Sequence, residues 1–369
     1  MSEISLQSWR GPFLFWLRVL ILSLVCSPVV VGQDLPPLPA PSASPLIGQF
    51  DGVTPTPATI STEAGAVLPA PVAIDSVDHN FIACPTPCYW IVSSRCSVQN
   101  IHESGRWGLD VYQRTPDGCL SESNVSTLAS QLVPGMPVCI FSHGSFVQWE
   151  SQCKEAAQAY AAFRSACPNL PVQMIFFTWP SDGPYTYLLP VDASIRGVRA
   201  EFNGFHLSYL MSQIPETCPV CLIGHSHGTR VVLSALHLAG GGDIQGHVFT
   251  GSIGNRRVRA VLAAAATDHF WLNPGNRYGC ALNRVECLLN LQNRRDFPLA
   301  FYSFSHPFAG ASLARRGFTN RDINRIGGYN ASKIRQCDVT TELGPDHLWP
   351  QYFGNGEIVS AMLPYIYFQ

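Results

Sequence analysis

The stretch VCLIGHSHGTRVVLSAL, residues 220–236, constrains the fold more than any other part of the chain. An apolar run typical of a buried strand stops at Gly224, and apolar residues at helical spacing follow Gly228. Ser226 stands midway between these glycines. Where a strand turns sharply into a helix, glycines relieve the crowding, and the central residue is held clear of the sheet. The pattern therefore predicts an elbow with Ser226 as nucleophile and the His227 amide as an oxyanion donor.

Apolar runs alternate with segments of helical spacing on both sides of this elbow. This alternation predicts a parallel sheet joined by right-handed helical crossovers. We therefore expect an α/β fold with a mostly parallel central sheet, helices on both faces and insertions after the later strands. The expected strands lie within residues 136–146, 172–184, 220–224, 258–268 and 287–296.

A serine hydroxyl needs a general base, and the base needs a carboxylate that orients it. When such a serine follows an elbow in this kind of fold, the chain order is serine, acid, histidine. His347 follows the last strand-like stretch and is the predicted base. Asp296 closes the penultimate strand and is the predicted acid. Asp268 closes the strand before it and is the alternative acid.

A second oxyanion donor is expected in the loop after the strand within residues 136–146. Gly144 allows the backbone to approach a substrate, and the Ser145 amide is the predicted donor. The neighbouring His143 side chain is interpreted as a structural hydrogen-bonding group. This chemistry requires no cofactor and no metal ion.

Several of these stretches together resemble the bacterial family of alpha/beta hydrolases of unknown function, relatives of esterases and lipases. The resemblance implies an α/β-hydrolase fold and the same nucleophile, acid and base: Ser226, Asp296 and His347. In that family, position 227 is more often methionine and position 145 more often aromatic. Both positions border the substrate pocket, so no substrate preference is transferred. The stretches that carry the resemblance, about residues 137–353, are IFSHGSF, FFTWPSDGPYTYLLPVDAS, CLIGHSHGTRVVLSAL, VLAAAATD, NLQNRRDFPLAF and DHLWPQYF.

The N-terminal sequence indicates export. Arg10 and Arg18 precede an apolar stretch that is too short to span a bilayer comfortably. We therefore expect a cleaved signal peptide at 1–32, no stable membrane insertion afterwards, and a periplasmic, cell-surface or extracellular location. Residues 33–74, rich in Pro, Ala and Ser, are predicted to be a disordered linker. Residues 75–369 are the expected α/β-hydrolase domain.

Cysteine usage fits an oxidising compartment. Loss of Cys26 with the signal peptide would leave twelve of the thirteen cysteines, an even number that favours disulfides. Cys280 and Cys287 flank a short loop and are the easiest local pair.

The cysteines also permit two other chemistries. A redox pair at Cys218 and Cys221 is disfavoured because the pair precedes a strand rather than opening a helix. The other possibility is a zinc site. Its ligands would be Cys84, Cys88 and Cys96.

The net charge of −2 gives no indication of a nucleic-acid partner. The sequence favours an exported serine hydrolase acting on an ester or related acyl bond of a small-molecule or lipid-like substrate. The alternative is a non-catalytic exported binding or surface protein that keeps the fold. Residues 242–258, 271–284 and 301–325 exceed ordinary connections, and their length, together with aromatic residues within 301–325, suggests that some of them form a lid over the site.

Overall fold

The computed structural model describes residues 89–115, 118–306 and 308–369. The predicted signal peptide, the predicted linker and the start of the expected domain at residue 75 lie outside these ranges. None of the helices within them combines the length and apolar character needed to cross a membrane.

The described chain is built on a nine-stranded sheet in the order β11-β10-β9-β6-β4-β5-β1-β2-β3, with β7 and β8 forming a separate hairpin. The strands are β1 Trp90–Ser93, β2 Asp110–Arg114, β3 Leu120–Ser123, β4 Val138–Ser142, β5 Gln173–Thr178, β6 Val220–His225, β7 Asp243–Ile244, β8 His247–Val248, β9 Val258–Ala263, β10 Cys287–Gln292 and β11 Ile334–Asp338.

Parallel pairing runs from β11 to β1, and only β1–β2 and β2–β3 pair antiparallel in this sheet. The central strands are short apolar runs that are buried on both faces, as expected where helices cover a parallel sheet. The predicted, mostly parallel sheet is confirmed.

The helices of the described chain connect and cover these strands. They are α1 Val125–Gln131, α2 Trp149–Ala166, α3 Leu189–Gln213, α4 Gly228–Ala239, α5 Leu313–Arg316, α6 Asn320–Ile326, α7 Gly328–Ser332, α8 Thr340–Leu343, α9 Trp349–Phe353 and α10 Gly356–Tyr367, with 3-10 helices at Ala281–Asn283 and Pro298–Phe304.

The helices divide between the two faces of the sheet. The chain steps one way from β4 to β5 and the opposite way from β5 to β6, so right-handed crossovers put α2 and α3 on opposite faces. The packing agrees, because α3 packs on α4 whereas α2 packs on α9 and α10. The predicted insertions follow β9 and β10, and the longer one spans 293–333.

The predicted disulfide between Cys280 and Cys287 is wrong, because both are free thiols. The Cys280 amide donates to Nδ1 of His237 in α4 at 3.0 Å. Sγ of Cys287 instead faces the Tyr365 hydroxyl of α10 at 3.6 Å. The turn Ala281–Asn283 lies between two residues that are close in sequence but contact different helices, Cys280 through its main-chain amide and Cys287 through its side chain.

The expected disulfides are also not formed by other described cysteines. Cys139 and Cys221 are buried thiols that face each other in register across β4 and β6. Cys218 lies just before β6 and not at a helix start, so the structure gives no support to the redox interpretation. Cys84 and Cys88 of the possible zinc site lie outside the described residues. Further free thiols are Cys96, Cys153, Cys167 and Cys337.

Candidate active site

The turn from β6 to α4 is a strained elbow centred on Ser226. Its φ is +53°, a left-handed conformation that is uncommon for a residue with a side chain. A Cβ on Gly224 would come within 2.7 Å of the Gly228 carbonyl oxygen, and a Cβ on Gly228 would collide with the Ser142 carbonyl oxygen. The Ser226 amide donates to the Ala263 carbonyl of β9 at 2.9 Å. Both glycines are therefore required by close backbone approach, as the sequence pattern predicts.

Three predicted residues from distant parts of the chain meet at this elbow. Nε2 of His347 lies 3.0 Å from Oγ of Ser226, and its Nδ1 lies 2.8 Å from Oδ2 of Asp296. Ser226 follows β6, Asp296 follows β10, and His347 comes after β11, all at the carboxyl edge of the sheet. The structure thus places serine, histidine and aspartate in one hydrogen-bonded chain. Their catalytic role stays a prediction.

The partners of His347 determine its tautomer. Asp296 is fully buried, and a carboxylate oxygen can only accept a hydrogen bond, so Nδ1 of His347 carries the proton. Nε2 then presents a lone pair that accepts the Ser226 hydroxyl. The other carboxylate oxygen of Asp296 accepts the Leu299 amide at 3.0 Å, which fixes the carboxylate orientation. The arrangement suits proton transfer from the Ser226 hydroxyl to Nε2.

His225 holds the loop that carries His347. Its Nε2 donates to the His347 main-chain carbonyl at 2.6 Å, and its ring lies against His347, Trp349 and Tyr352. Burial, followed by the neighbouring His347, lowers the pKa of His225 to about 3, so the ring is neutral near pH 7. No local sequence pattern indicates this contact, because it joins residues 122 positions apart.

The two predicted oxyanion amides belong to residues that touch each other. Oγ of Ser145 lies 2.7 Å from Nδ1 of His227, which bridges the loop after β4 and the first turn of α4. Within the described chain, neither of these two amides donates to another protein group. A Cβ on Gly144 would lie 2.8 Å from Cβ of Ser226, so the loop passes directly beside the hydroxyl. The loop and the elbow can therefore present two amides to one oxygen atom.

His143 supports the loop from below, as the sequence interpretation predicts. Its Nδ1 donates to the Gly144 carbonyl at 2.8 Å, and its Nε2 accepts from the Thr178 hydroxyl at 2.8 Å. The ring stacks on Trp179, whose Nε1 donates to the His143 carbonyl at 2.9 Å. Burial, and then the charge of Arg95, lowers the pKa of His143 to about 3. A neutral ring thus ties the loop after β4 to the end of β5.

A buried ion pair completes this support and was missed by the sequence analysis. Nε of Arg196 donates to Asp192 at 2.6 Å, and both side chains are buried. Arg196 also donates to the Ser181 carbonyl, which accepts the Phe146 amide at 2.8 Å. The hydroxyl of Ser181 lies 3.3 Å from the Val147 carbonyl. The Arg196 guanidinium therefore holds the loop after β5, and the loop after β4 is hydrogen-bonded to that loop.

The family comparison agrees with this architecture. Residues 121–258 match the family model described as alpha/beta hydrolase of unknown function. This segment is therefore similar to that family. The match includes Ser145 and Ser226 but ends before Asp296 and His347. Together with the parallel sheet and its helices, it confirms the predicted α/β-hydrolase fold and supports a hydrolase.

Other comparisons are more distant. A comparison with curated proteins gave no match. Two solved structures of acetyl xylan esterase are similar to this chain. Each match covers 64% of this chain and 98% of the esterase chain. The first, an iodinated complex at 1.80 Å, has 16% identity and a TM-score of 0.29. The second, at 0.90 Å, has 17% identity and a TM-score of 0.28.

The alternative acid Asp268 lies in a different group of side chains. Its Oδ1 accepts the Gly310 amide at 2.9 Å, and its Oδ2 lies 3.6 Å from Nε2 of His306. Burial raises the pKa of its carboxyl above the usual range. In this structure the carboxylate bonded to His347 is that of Asp296.

An apolar, uncharged segment follows Asp296. We call residues 297–306 and 308–310 the aromatic segment; they contain no Asp, Glu, Lys or Arg. Its first turn is the 3-10 helix Pro298–Phe304, which begins beside the carboxylate of Asp296. Phe304 is 69% exposed and Phe308 is 99% exposed. Large apolar rings therefore face solvent in the segment that begins at the predicted acid.

Proposed function

We propose that this chain is a serine hydrolase that cleaves an ester bond through Ser226, His347 and Asp296. One observation carries the proposal. A continuous hydrogen-bonded chain links the buried Asp296 carboxylate, the His347 imidazole and the hydroxyl of Ser226. The strained elbow supports it, because the strain holds the hydroxyl above the sheet edge where a carbonyl could approach.

The first half of the proposed reaction forms an acyl-enzyme. Oγ of Ser226 attacks the ester carbonyl carbon while its proton passes to Nε2 of His347. Asp296 stabilises the resulting imidazolium and keeps the ring in place. The tetrahedral intermediate then collapses, the bond from carbon to the alcohol oxygen breaks, and His347 returns the proton to the leaving alcohol. The acyl group remains on Ser226.

The second half releases the acid. A water molecule attacks the acyl carbon and gives a proton to Nε2 of His347. Collapse of the second intermediate breaks the bond to Oγ of Ser226, which takes the proton back. The amides of His227 and Ser145 stabilise the negative oxygen in both halves. Every proton shift uses groups of this chain or water, so the proposal needs no metal ion or cofactor.

The substrate in this proposal is a small-molecule or lipid-like ester. The N-terminal sequence supports export, so we place the reaction in the periplasm, at the cell surface or outside the cell. The exposed phenylalanines of the aromatic segment favour an apolar acyl group, because such rings gain free energy when they leave water.

The test is hydrolysis of p-nitrophenyl esters with acyl chains of graded length, combined with labelling by a fluorophosphonate probe. We expect turnover and labelling by the wild type. Ser226→Ala should abolish labelling and lower kcat by about 10⁴-fold or more. Ser332→Ala is the matched control. This exposed hydroxyl donates to the Tyr329 main-chain carbonyl at 2.8 Å, and it lies before the start of β11 rather than at the carboxyl edge of the sheet. A folded wild type that neither turns over nor labels would favour the non-catalytic binding protein instead.

A further inference from the structure

The contact between Ser145 and His227 has a chemical use beyond the two amides. Oγ of Ser145 and Nδ1 of His227 are 2.7 Å apart, a strong hydrogen bond by distance. Ser145 is partly exposed and lies next to Gly144, which touches the elbow residue Ser226. The hydroxyl of Ser145 is therefore at the rim of the position where the oxyanion would form.

The ring of His227 is neutral in this environment. Burial, and then the charges of Arg230 and Arg196, lowers the pKa of His227 well below its usual value. A neutral imidazole has one N–H donor and one lone-pair acceptor. The ring can therefore either accept the Ser145 proton at Nδ1 or donate an N–H to the Ser145 oxygen, and the two cases have different consequences.

The surroundings of Nε2 discriminate between these tautomers. Nε2 of His227 is buried, and within the described chain it has no hydrogen-bond partner. If Nδ1 accepted the Ser145 proton, an N–H at Nε2 would be buried without an acceptor. If Nδ1 donates, Nε2 keeps only a lone pair, and buried acceptors without partners are the less rare case. The second tautomer leaves the Ser145 proton uncommitted.

We propose that the Ser145 hydroxyl is a third oxyanion donor and that His227 is the positioning residue that holds its oxygen. Nδ1–H of His227 donates to Oγ of Ser145, and the Ser145 hydroxyl donates to the negative substrate oxygen. His227 thus contributes its amide directly and its side chain indirectly. This inference rests on the proposed serine-hydrolase function and adds a specific donor to it.

The first test removes the hydroxyl. Ser145→Ala should lower kcat by about 10²-fold and change KM by less than threefold, as expected for a donor that acts mainly in the transition state. Ser145→Thr keeps a hydroxyl and should retain at least ten times the kcat of Ser145→Ala. Melting temperatures of both variants control for folding.

A change of substrate tests the role of the Ser145 hydroxyl directly. The ratio of kcat/KM for an ester to that for its thionoester should not change if Ser145 has only a structural role. In a thionoester, sulfur replaces the carbonyl oxygen and accepts hydrogen bonds poorly. The wild type should prefer the ester over its thionoester, and Ser145→Ala should reduce that ratio of kcat/KM at least about tenfold. An unchanged ratio would overturn the proposal.

The second test addresses His227. His227→Phe should lower kcat by about tenfold, whereas His227→Asn, which keeps a donor near the Nδ1 position, should retain more activity. Because both residues act through one hydroxyl, Ser145→Ala combined with His227→Phe should be no more than threefold slower than Ser145→Ala alone. The nitrogen-15 chemical shifts of His227 should show the proton on Nδ1, and a proton on Nε2 would contradict the assignment.

Failure of this inference is distinguishable from failure of the proposed function. If the wild type turns over, Ser226→Ala does not, and Ser145→Ala stays within threefold of the wild type, only the third donor is rejected. If the wild type itself does not turn over any ester and does not label, the serine-hydrolase function is rejected, and this inference with it.

Discussion

Gly144 and Ser226 are packed so closely that no side chain fits between them. A Cβ on Gly144 would lie 2.8 Å from Cβ of Ser226 and 3.1 Å from Nδ1 of His225. Gly144→Ala must therefore push the loop after β4 away from the elbow. We expect a loss of stability of about 1–3 kcal/mol and a fall in kcat of about 10²-fold, because misplaced oxyanion donors stabilise the transition state poorly.

Gly356→Ala is the matched control for this substitution. Gly356 opens α10, and a Cβ there would meet no atom within 4 Å. Chemical denaturation and ester kinetics should show little change in this variant. Equal losses in Gly144→Ala and Gly356→Ala would contradict the steric explanation.

The choice of acid can be tested directly. Asp296→Asn preserves shape but changes the preferred tautomer of His347, and kcat should fall by about 10³- to 10⁴-fold. Asp268→Asn alters a carboxylate that faces His306 and not His347, so the folded protein should keep kcat within tenfold of the wild type. A larger loss of kcat for Asp268→Asn than for Asp296→Asn, at equal folded fractions, would reverse the assignment.

Stability should fall at acid pH because of the buried neutral histidines. His143 and His225 have a pKa of about 3 when folded, against about 6.5 when unfolded. The unfolded chain therefore binds more protons between these values. The associated stability is complete above pH 6.5 and is lost progressively as pH falls toward 3, by up to about 1.4 kcal/mol per pH unit for each ring.

Urea denaturation at pH 7.5, 6 and 5 measures this loss. His143→Gln removes one of the titrating rings, so its free energy of unfolding should depend less steeply on pH than that of the wild type. A slope equal to that of the wild type would show that His143 is not the source of the pH dependence.

The aromatic segment should matter for apolar substrates. Phe304→Ser combined with Phe308→Ser removes two exposed rings, each contributing roughly 1–2 kcal/mol when it leaves water. Hydrolysis of an emulsified long-chain ester should fall about tenfold or more, and hydrolysis of a soluble acetate ester should change little. Because Phe304 and Phe308 lie within residues 301–325, for which the sequence suggests a lid, this pair of substrates also tests that hypothesis.

Tyr329→Ser is the control for a general surface effect. This ring is 76% exposed but lies in α7, before the start of β11 and away from the carboxyl edge of the sheet. Both ester activities should be unchanged in that variant. If it reduces emulsion activity as much as the double phenylalanine variant, surface apolarity in general would be responsible.

The sequence predicts those parts of the fold that depend on local pattern. Buried parallel strands read as apolar runs, and the glycines around Ser226 mark a turn whose crowding the structure reproduces. Chain order then suggests Asp296 and His347, which do contact each other here, although their catalytic roles remain to be tested. These predictions succeed because sheet topology brings strand ends together.

Contacts set by tertiary packing could not be predicted in this way. The bond between Ser145 and His227 joins two loops that only the folded sheet brings together. The error at Cys280 and Cys287 has the same origin, because their separation in sequence is short but the Cys280 main chain contacts α4 and the Cys287 side chain contacts α10. Spacing along the chain carries no information about which helix a side chain faces.

The bond from His225 to the carbonyl of His347 should make ester turnover sensitive to the local stability of the loop that carries His347. The consecutive residues His225 and Ser226 both bind His347: His225 binds its main-chain carbonyl, and Ser226 binds its imidazole ring. If this loop loosens first on heating, His347, the predicted base, separates from the Ser226 hydroxyl before the sheet unfolds. Heating should therefore extinguish turnover several degrees ahead of global unfolding, reversibly on cooling.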